Sequence, residues 1–166
     1  MNKPDLTGIC VLVDGGCLNN NKPVSERSMY GSMRLFKDGI HVQATCPVDN
    51  ASKRIHHRYN IPAICDHASN NLAEVVMLRI GMEYVHKLVN RMREQGQKLD
   101  SITVMSDSEW ALSVVTGAYK IKACNEIPFN NDLQSIKHLK GIVEQEGCSI
   151  IFQHVDNLWV KSVLGH

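Results

Sequence analysis

The chain has 166 residues, of which 43% are hydrophobic and 21% are charged, and its formal net charge is +1. This length and composition indicate one soluble globular domain with a full hydrophobic core. The net charge excludes a strongly basic nucleic-acid-binding protein, so any contact with phosphates has to come from local geometry and metal ions.

No export or membrane signal is recognisable in the sequence. Residues 1–7 are polar and short, which predicts that there is no signal peptide, and no apolar run approaches the roughly 20 residues of a membrane helix. The six cysteines form no C-x-x-C pair, so neither a zinc finger nor a disulfide framework is expected. We therefore expect a cytoplasmic protein with free thiols, no membrane contact and no obligate protein partner.

The first part of the chain predicts three strands. Residues 8–13 form a continuous apolar run with β-branched side chains, which predicts a strand buried on both faces. This strand is expected to end at Asp14, before the polar, turn-rich segment 15–22. Residues 29–36 predict a second strand, and a Lys-Asp-Gly turn connects it to a return strand over residues 40–45.

The middle of the chain predicts an irregular excursion and then a long helix. Residues 46–68 have no clear periodicity and contain a proline that cannot lie in a central strand, so we expect a short edge strand near residues 58–61. Apolar residues then recur at helical spacing as far as residue 94. One of residues 69–71 is expected to cap this helix, and Gly96 ends it.

The last part of the chain predicts two more strands, at residues 101–106 and 148–155. Between them, a short helix is expected to end near Gly117 and a second to cover about residues 131–145, while the short remainder of the chain forms a last helix. The order β-β-β-α-β-α-α-β-α predicts an α/β fold in which helices flank a five-stranded mixed sheet. We expect one domain over residues 1–166.

Three carboxylates are predicted to meet at one edge of this sheet. Asp14 and Asp107 each follow one of the two most apolar strands, which are expected to be parallel neighbours, and Glu74 lies in the first turn of the long helix. Converging carboxylates repel one another unless a cation is present, and oxygen ligands suit Mg²⁺ or Mn²⁺. Two-metal hydrolysis of a phosphodiester requires such a cluster. Taken singly, each residue also fits a turn or a helix terminus.

The segments around these carboxylates resemble type 1 ribonuclease H. Residues 11–20 (VLVDGGCLNN) are similar to that family's opening strand, residues 69–74 (SNNLAE) to its T-N-N-x-x-E motif, and residues 102–112 (ITVMSDSEWAL) to its strand followed by D-S. Residues 29–31 (Met-Tyr-Gly) fall where the family has a Y-G pair. The motifs come in the family's order, and the match covers most of residues 8–155.

The resemblance implies a ribonuclease H-like fold and an endonuclease that cleaves the RNA strand of RNA–DNA hybrids. It makes Asp14, Glu74 and Asp107 the catalytic, metal-binding residues, with two Mg²⁺ or Mn²⁺ ions in the site. It also implies contacts to the minor groove of the hybrid from Cys17, Asn19 or Asn20, Asn70 and Asn71. Amide side chains can bond the 2′-hydroxyls that distinguish RNA from DNA. The plainer interpretation is that the paired asparagines cap the helix and that the cysteine packs.

The end of the chain departs from the family pattern. The family has a fourth carboxylate in its last helix, and the spacing of that motif, counted from Asn157, leads to Lys161 in this chain. Asp156 is the only acidic residue after the last strand, and we favour it as a fourth catalytic metal ligand. The alternatives are the terminal His166, or His154, or no fourth ligand at all.

Two other segments also differ from the family. Residues 46–68 contain cysteines and histidines without a recognised zinc-ligand spacing, and Lys53, Arg54 and Arg58 could contact a nucleic-acid backbone. Residues 117–131 have only two basic side chains and lack the tryptophan- and lysine-rich handle of some relatives. We therefore expect weak intrinsic substrate binding.

Three competing functions share parts of this pattern. An inactive nucleic-acid-binding module is favoured by the missing fourth aspartate and opposed by the three intact carboxylates. Another nuclease of the same fold, such as a junction resolvase or an exonuclease, would share the cluster, but the asparagines before Glu74 favour hybrid recognition. A phosphatase with an aspartate nucleophile needs a second acid two residues later, where Gly16 lies.

Overall fold

The computed structural model describes residues 3–45, 52–54 and 56–164. Within them the strands are β1 (Ile9–Leu18), β2 (Ser28–Lys37), β3 (Ile40–His41), β4 (Gln43–Thr45), β5 (Ser52–Arg54), β6 (His56–Ile61), β7 (Ser101–Ser106) and β8 (Ser149–His154). The helices in the same residues are α1 (Asn70–Glu94), α2 (Glu109–Thr116), α3 (Asn130–Gln145) and α4 (Asn157–Leu164). This mixture of a sheet and flanking helices confirms the predicted α/β fold class.

The main sheet is mixed and has the order β3-β2-β1-β7-β8, with β6 also paired to β2. β1 and β2 are antiparallel, whereas β1 pairs in parallel with β7, and β7 with β8. The predicted parallel pairing of the two most apolar strands is therefore confirmed, with a register from Ile9 opposite Ile102 to Leu12 opposite Met105. Their side chains fill the interior because both faces of these central strands are covered.

The first strand is longer than predicted. It continues past Asp14 to Leu18, because residues 15–18 keep pairing with residues 28–31 of β2 after the pairing with β7 has ended. The prediction of a turn at Gly15 was wrong for a steric reason. A Cβ atom on Gly15 would lie 2.5 Å from the carbonyl carbon of Ala73. The glycine thus allows α1 to lie against the strand, and it does not mark a turn.

The predicted return strand over residues 40–45 is wrong, because the structure divides it. β3 pairs with the last two residues of β2, and β6 pairs with residues 29–34 along the same edge of β2. Both are antiparallel to β2, so they run in the same direction. Between them, β4 and β5 pair antiparallel with each other in a separate two-stranded sheet. β6 confirms the predicted edge strand and brings the main sheet to six strands.

The helices cover the two faces of the sheet unequally. α1 packs with α2 and α3 over one face, which holds the larger core. α4 covers the other face, where Trp159, Val160 and Leu164 are buried against Cys10 and Leu12 of β1. None of the helices in the described ranges is both long and apolar enough to span a membrane.

The local signals at the start of α1 and at the end of α2 agree with the predictions. Ser69 caps α1, since its Oγ accepts a hydrogen bond of 3.1 Å from the backbone N–H of Leu72. Ser108 caps α2 in the same way, and Gly117 ends that helix with a φ of 84°. These caps determine where the two helices begin beside the carboxyl ends of the central strands.

Candidate functional site

The structure brings Asp14, Glu74 and Asp107 together. One carboxylate oxygen from each lies within 4.8 Å of the other two. Asp14 and Asp107 meet because each lies two residues beyond a paired position, Leu12 and Met105, of parallel neighbouring strands. Glu74 joins them because α1 crosses β1 in close contact at Gly15.

Burial raises the pKa values of all three carboxylates, and repulsion from neighbouring carboxylates adds to the shifts of Glu74 and Asp107. Burial raises the pKa of Glu74 well above its usual range, and the charges of Asp14 and Asp107 add to this effect. Burial and then the charge of Asp14 raise the pKa of Asp107 to about 6. Burial also raises the pKa of Asp14, although its hydrogen bonds and the charge of Lys161 oppose the shift. Without a counter-charge the cluster therefore tends to hold protons.

The donor set fits a divalent cation with oxygen ligands. Glu74 is only 8% exposed, and its Oε2 atom is buried without a hydrogen-bond partner. Such an atom carries a desolvation cost that a bound cation would remove. Three carboxylates in an open cleft, with room for water molecules, match the preference of Mg²⁺ and Mn²⁺.

The cluster lies at the bottom of an open cleft of about 320 Å³. Its walls come from the start of α1, from β2 and from α4, and include Tyr30, Asn70, Asn71, Asn157 and Lys161. The cleft is open to solvent, so a ligand can reach the carboxylates from outside the protein.

Two of the predicted substrate contacts line this cleft. They are Asn70 and Asn71 in the first turn of α1. The Oδ1 atom of Asn70 accepts a hydrogen bond of 2.7 Å from the backbone N–H of Cys17, which ties the helix to the end of β1. Because Oδ1 is used in this way, the amide NH₂ group remains as a donor.

The other predicted substrate contacts lie elsewhere. The side chain of Cys17 is packed into the larger core. Asn19 and Asn20 lie in the exposed turn after β1, and the amide of Asn19 donates to the carbonyl of Glu26 at 3.2 Å. Cys17 therefore supports the site through its backbone N–H, which bonds Asn70. Asn19 instead stabilises the loop in which it lies.

The structure does not place the predicted fourth ligand at the cluster. Asp156 precedes α4, where its Oδ1 accepts a hydrogen bond of 2.7 Å from the backbone N–H of Leu158, and its carbonyl accepts one from Val160. It thus caps the helix. His154 has its Nε2 atom 3.2 Å from the backbone carbonyl oxygen of Asp107. His166 lies outside the described residues.

Lys161 is a residue of the cleft to which sequence reasoning gave no role. The spacing of the family motif reached this position, but only as the place where an aspartate is absent. In the structure Lys161 lines the cleft, one helical turn after Asn157, which lines it too. The i, i+4 spacing of these two residues was the available signal, since such residues share a helix face.

A second, aromatic cleft adjoins the first and was also missed. It has a volume of about 440 Å³ and shares Asn71 with the carboxylate cleft. Trp110 lines it, and the centroid of its ring lies 5.5 Å from that of Phe129 and 6.4 Å from that of Tyr119. Lys122 also lines it. The aromatic residues come from separate segments, so no contiguous motif marks the cleft in the sequence.

Comparison of the sequence with models of known families and with curated protein sequences gives no match. Solved structures do match. LC11 ribonuclease H1 in complex with an RNA/DNA hybrid is 19% identical with a TM-score of 0.63, and the match covers 91% of this chain and 87% of that one. Ribonuclease H1 from Halobacterium salinarum is 18% identical with a TM-score of 0.59 and the same coverages.

A third structure agrees with these two. The N-terminal ribonuclease H domain of a Mycobacterium tuberculosis protein is 17% identical with a TM-score of 0.58, over 91% of this chain and 84% of that one. The chain therefore has a ribonuclease H-like fold over about nine-tenths of its length. Within that fold it is similar to ribonuclease H1 structures, as the sequence motifs predict.

Proposed function

We propose that the protein is a divalent-metal-dependent endonuclease that cleaves the RNA strand of RNA–DNA hybrids. The observation that carries the proposal is the convergence of Asp14, Glu74 and Asp107 within 4.8 Å of one another. A cluster of buried, mutually repelling carboxylates destabilises the folded protein unless a cation is bound. Its presence in a cleft of a ribonuclease H-like fold favours a functional metal site.

The three carboxylates would hold Mg²⁺ or Mn²⁺, and the fixed backbone around them sets their positions. When bound, a divalent ion of this kind activates water for attack on phosphorus and stabilises the leaving oxygen. Burial fixes the carboxylate of Glu74, whereas Asp14 and Asp107 are half-buried and line the cleft. The resemblance implies two ions. How many ions the site holds depends on the charges of the residues that line the cleft.

Recognition of RNA in the hybrid would come from the start of α1. The amide groups of Asn70 and Asn71 lie on the wall of the carboxylate cleft, where they can bond base edges or a 2′-hydroxyl in the minor groove. The hydrogen bond between Asn70 and Cys17 holds the first amide in one orientation. The LC11 ribonuclease H1 structure, which contains an RNA/DNA hybrid, supports this class of substrate.

The aromatic cleft supports a substrate that extends beyond the cleaved bond. Trp110 and Tyr119 offer ring faces for sugars or bases, and Lys122 offers a positive charge for a phosphate. Because Asn71 lines both clefts, one duplex can contact them together. Tyr119, Lys122 and Phe129 belong to the weakly basic segment 117–131, so this surface would give that segment part of its grip on the substrate.

A binding module without catalysis is the second candidate. The observation that favours it is that Asp156 caps α4 instead of joining the cluster. The two candidates differ in one measurable property, which is metal-dependent cleavage. Another nuclease of the same fold would cleave as well, but it would prefer a different nucleic acid.

The test is cleavage of a labelled RNA–DNA hybrid with Mg²⁺ or Mn²⁺, beside duplex RNA, duplex DNA, single-stranded DNA and a four-way junction. We expect hybrid-selective cleavage that needs metal and is lost in Asp14→Asn. Asp100→Asn is the matched control, because Asp100 is an exposed aspartate outside the cleft. Folded protein that cleaves none of the substrates with either metal would leave the binding module as the function, and preference for the junction would indicate a resolvase.

A further inference from the structure

The α4 helix presents one side to the core and another to the carboxylate cleft. Trp159, Val160 and Leu164 are buried against the sheet. The ring centroids of Trp159 and Phe36 lie 6.1 Å apart. These contacts fix the rotation of the helix about its axis. Asn157 and Lys161, four residues apart, consequently lie together on the wall of the cleft.

Lys161 faces the same side of the sheet as Asp14. Asp14 lies two residues beyond Leu12, and alternate residues of a strand share a face, which here is the face that α4 covers. The positive charge of Lys161 acts on Asp14 across the cleft. Lys161 itself is exposed, so its ammonium group stays hydrated and can turn towards a ligand in the cleft.

The charges on the cleft walls match one divalent ion. With metal bound, Asp14, Glu74 and Asp107 carry three negative charges and Lys161 carries one positive charge. The net charge of these four side chains is −2, which one Mg²⁺ or Mn²⁺ ion neutralises. A second divalent ion on the α4 side would be repelled by both the first ion and the ammonium group. It would also find no fourth carboxylate there among the described residues, since Asp156 caps α4.

We propose that Lys161 takes the place of a second cation, so that the site holds one divalent ion and the Lys161 ammonium binds a non-bridging phosphate oxygen of the substrate. This inference rests on the proposed function of the same cleft. An ammonium group is a compact charge with three donors and suits a phosphate oxygen. Lys161 is then a substrate-binding residue on the α4 side, opposite the asparagines of α1.

The first test counts the ions in the absence of substrate. Metal-free protein is titrated with Mn²⁺ in a calorimeter, and the bound Mn²⁺ is examined by electron paramagnetic resonance. We expect one ion per chain and a spectrum without coupling between two ions. In Lys161→Asp the wall gains a carboxylate and loses the positive charge, so we expect two ions and a coupled spectrum. Lys161→Arg keeps the charge and should still bind one ion.

The second test measures the phosphate contact. Binding of a labelled hybrid is followed by fluorescence anisotropy at several salt concentrations in the presence of a chelator. Lys161→Gln should bind the hybrid about tenfold more weakly, and the slope of log K against log salt should fall by about one. Lys140→Gln is the control, since Lys140 pairs with Glu144 on α3. Lys161→Arg should restore the slope.

The two tests separate this inference from the proposed function. Wild-type protein that cleaves the hybrid but binds two coupled Mn²⁺ ions would overturn the inference alone. So would a Lys161→Gln variant whose hybrid affinity and salt slope equal those of the wild type. A folded wild type that binds no ion and cleaves no hybrid would overturn both. Circular dichroism establishes folding for each variant, and the exposure of Lys161 makes folding of these variants the expected result.

Discussion

Replacement of Asp107 by asparagine should stabilise the metal-free protein. The pKa of Asp107 rises from 3.8 to about 6, because burial and the charge of Asp14 disfavour its ionised form. This difference corresponds to about 3 kcal/mol of unfavourable free energy when Asp107 is ionised in the folded state. Asp107 is partly exposed, so solvent screening reduces the expected gain to about 1–2 kcal/mol.

The sign of the effect depends on pH. A group whose pKa is raised on folding stabilises the protein below its unfolded pKa and loses that contribution as the pH rises through its folded pKa. For Asp107 this window runs from about pH 4 to about pH 6. The amide introduced by Asp107→Asn does not titrate, so the variant should gain stability over the wild type above this window and little near pH 4.

The assay is urea unfolding of wild type and Asp107→Asn at about pH 4 and about pH 7.5, each with a chelator and with Mn²⁺. Without metal at the higher pH the variant should unfold at a higher urea concentration. In a thermal melt under the same conditions, the Tm of a chain of this size should rise by roughly 2–8 °C. Mn²⁺ should stabilise the wild type more than the variant. Asp100→Asn should change neither value. A variant less stable than the wild type at both pH values would refute the repulsion argument.

Substitutions at three further positions test other parts of the site. Gly15→Ala should destabilise the protein by about 1–3 kcal/mol in urea unfolding and lower cleavage, because its Cβ would displace α1. Asn70→Ala should cost about 1 kcal/mol through the lost bond to Cys17 and reduce the preference for hybrid over duplex DNA in cleavage assays. Asp156→Ala should lower stability by about 0.5–2 kcal/mol, and Asp156→Asn should restore it as an alternative cap.

Gly15→Ala has a control variant, and the results at Asn70 and Asp156 separate the possible roles of those residues. Gly141→Ala adds a Cβ atom where nothing lies within 4 Å, so it should stabilise α3 by about 0.5–1 kcal/mol, and equal effects at both glycines would contradict the steric account. If Asn70→Ala lowers the stability but leaves the preference for hybrid over duplex DNA unchanged, the asparagine only connects α1 to β1. If Asp156→Asn regains stability but not cleavage, Asp156 acts as a metal ligand during turnover as well as a cap.

The sequence predicted the site better than its surroundings. The two central strands are continuous apolar runs, and parallel strands bring their carboxyl ends to one edge, so the meeting of Asp14 and Asp107 followed from local pattern. Glu74 needed only the start of the helix, which Ser69 marks. Whether these residues catalyse cleavage stays a prediction.

The errors have a common physical origin in tertiary contact. Gly15 is typical of a turn in the sequence, but it lies in a strand because α1 needs the space of a side chain. The position of Lys161 in the cleft depends on the burial of Trp159 and Leu164, which fixes the rotation of α4. The division of the third strand depends on pairing with β2, and nothing in the alternation of residues 40–45 marks where that pairing ends.

β3 and β6 pair with the same edge of β2, so the connection between them is a natural point for inserting another sequence. His41 at the end of β3 pairs with Phe36, and His56 at the start of β6 pairs with Arg34, only two residues away on β2. Strand geometry therefore keeps the two attachment points about 7 Å apart, whatever length of chain joins them. A tighter turn or a whole reporter domain can be grafted there with a small entropic cost. The carboxylates, which belong to β1, α1 and the end of β7, would keep their positions through such an exchange.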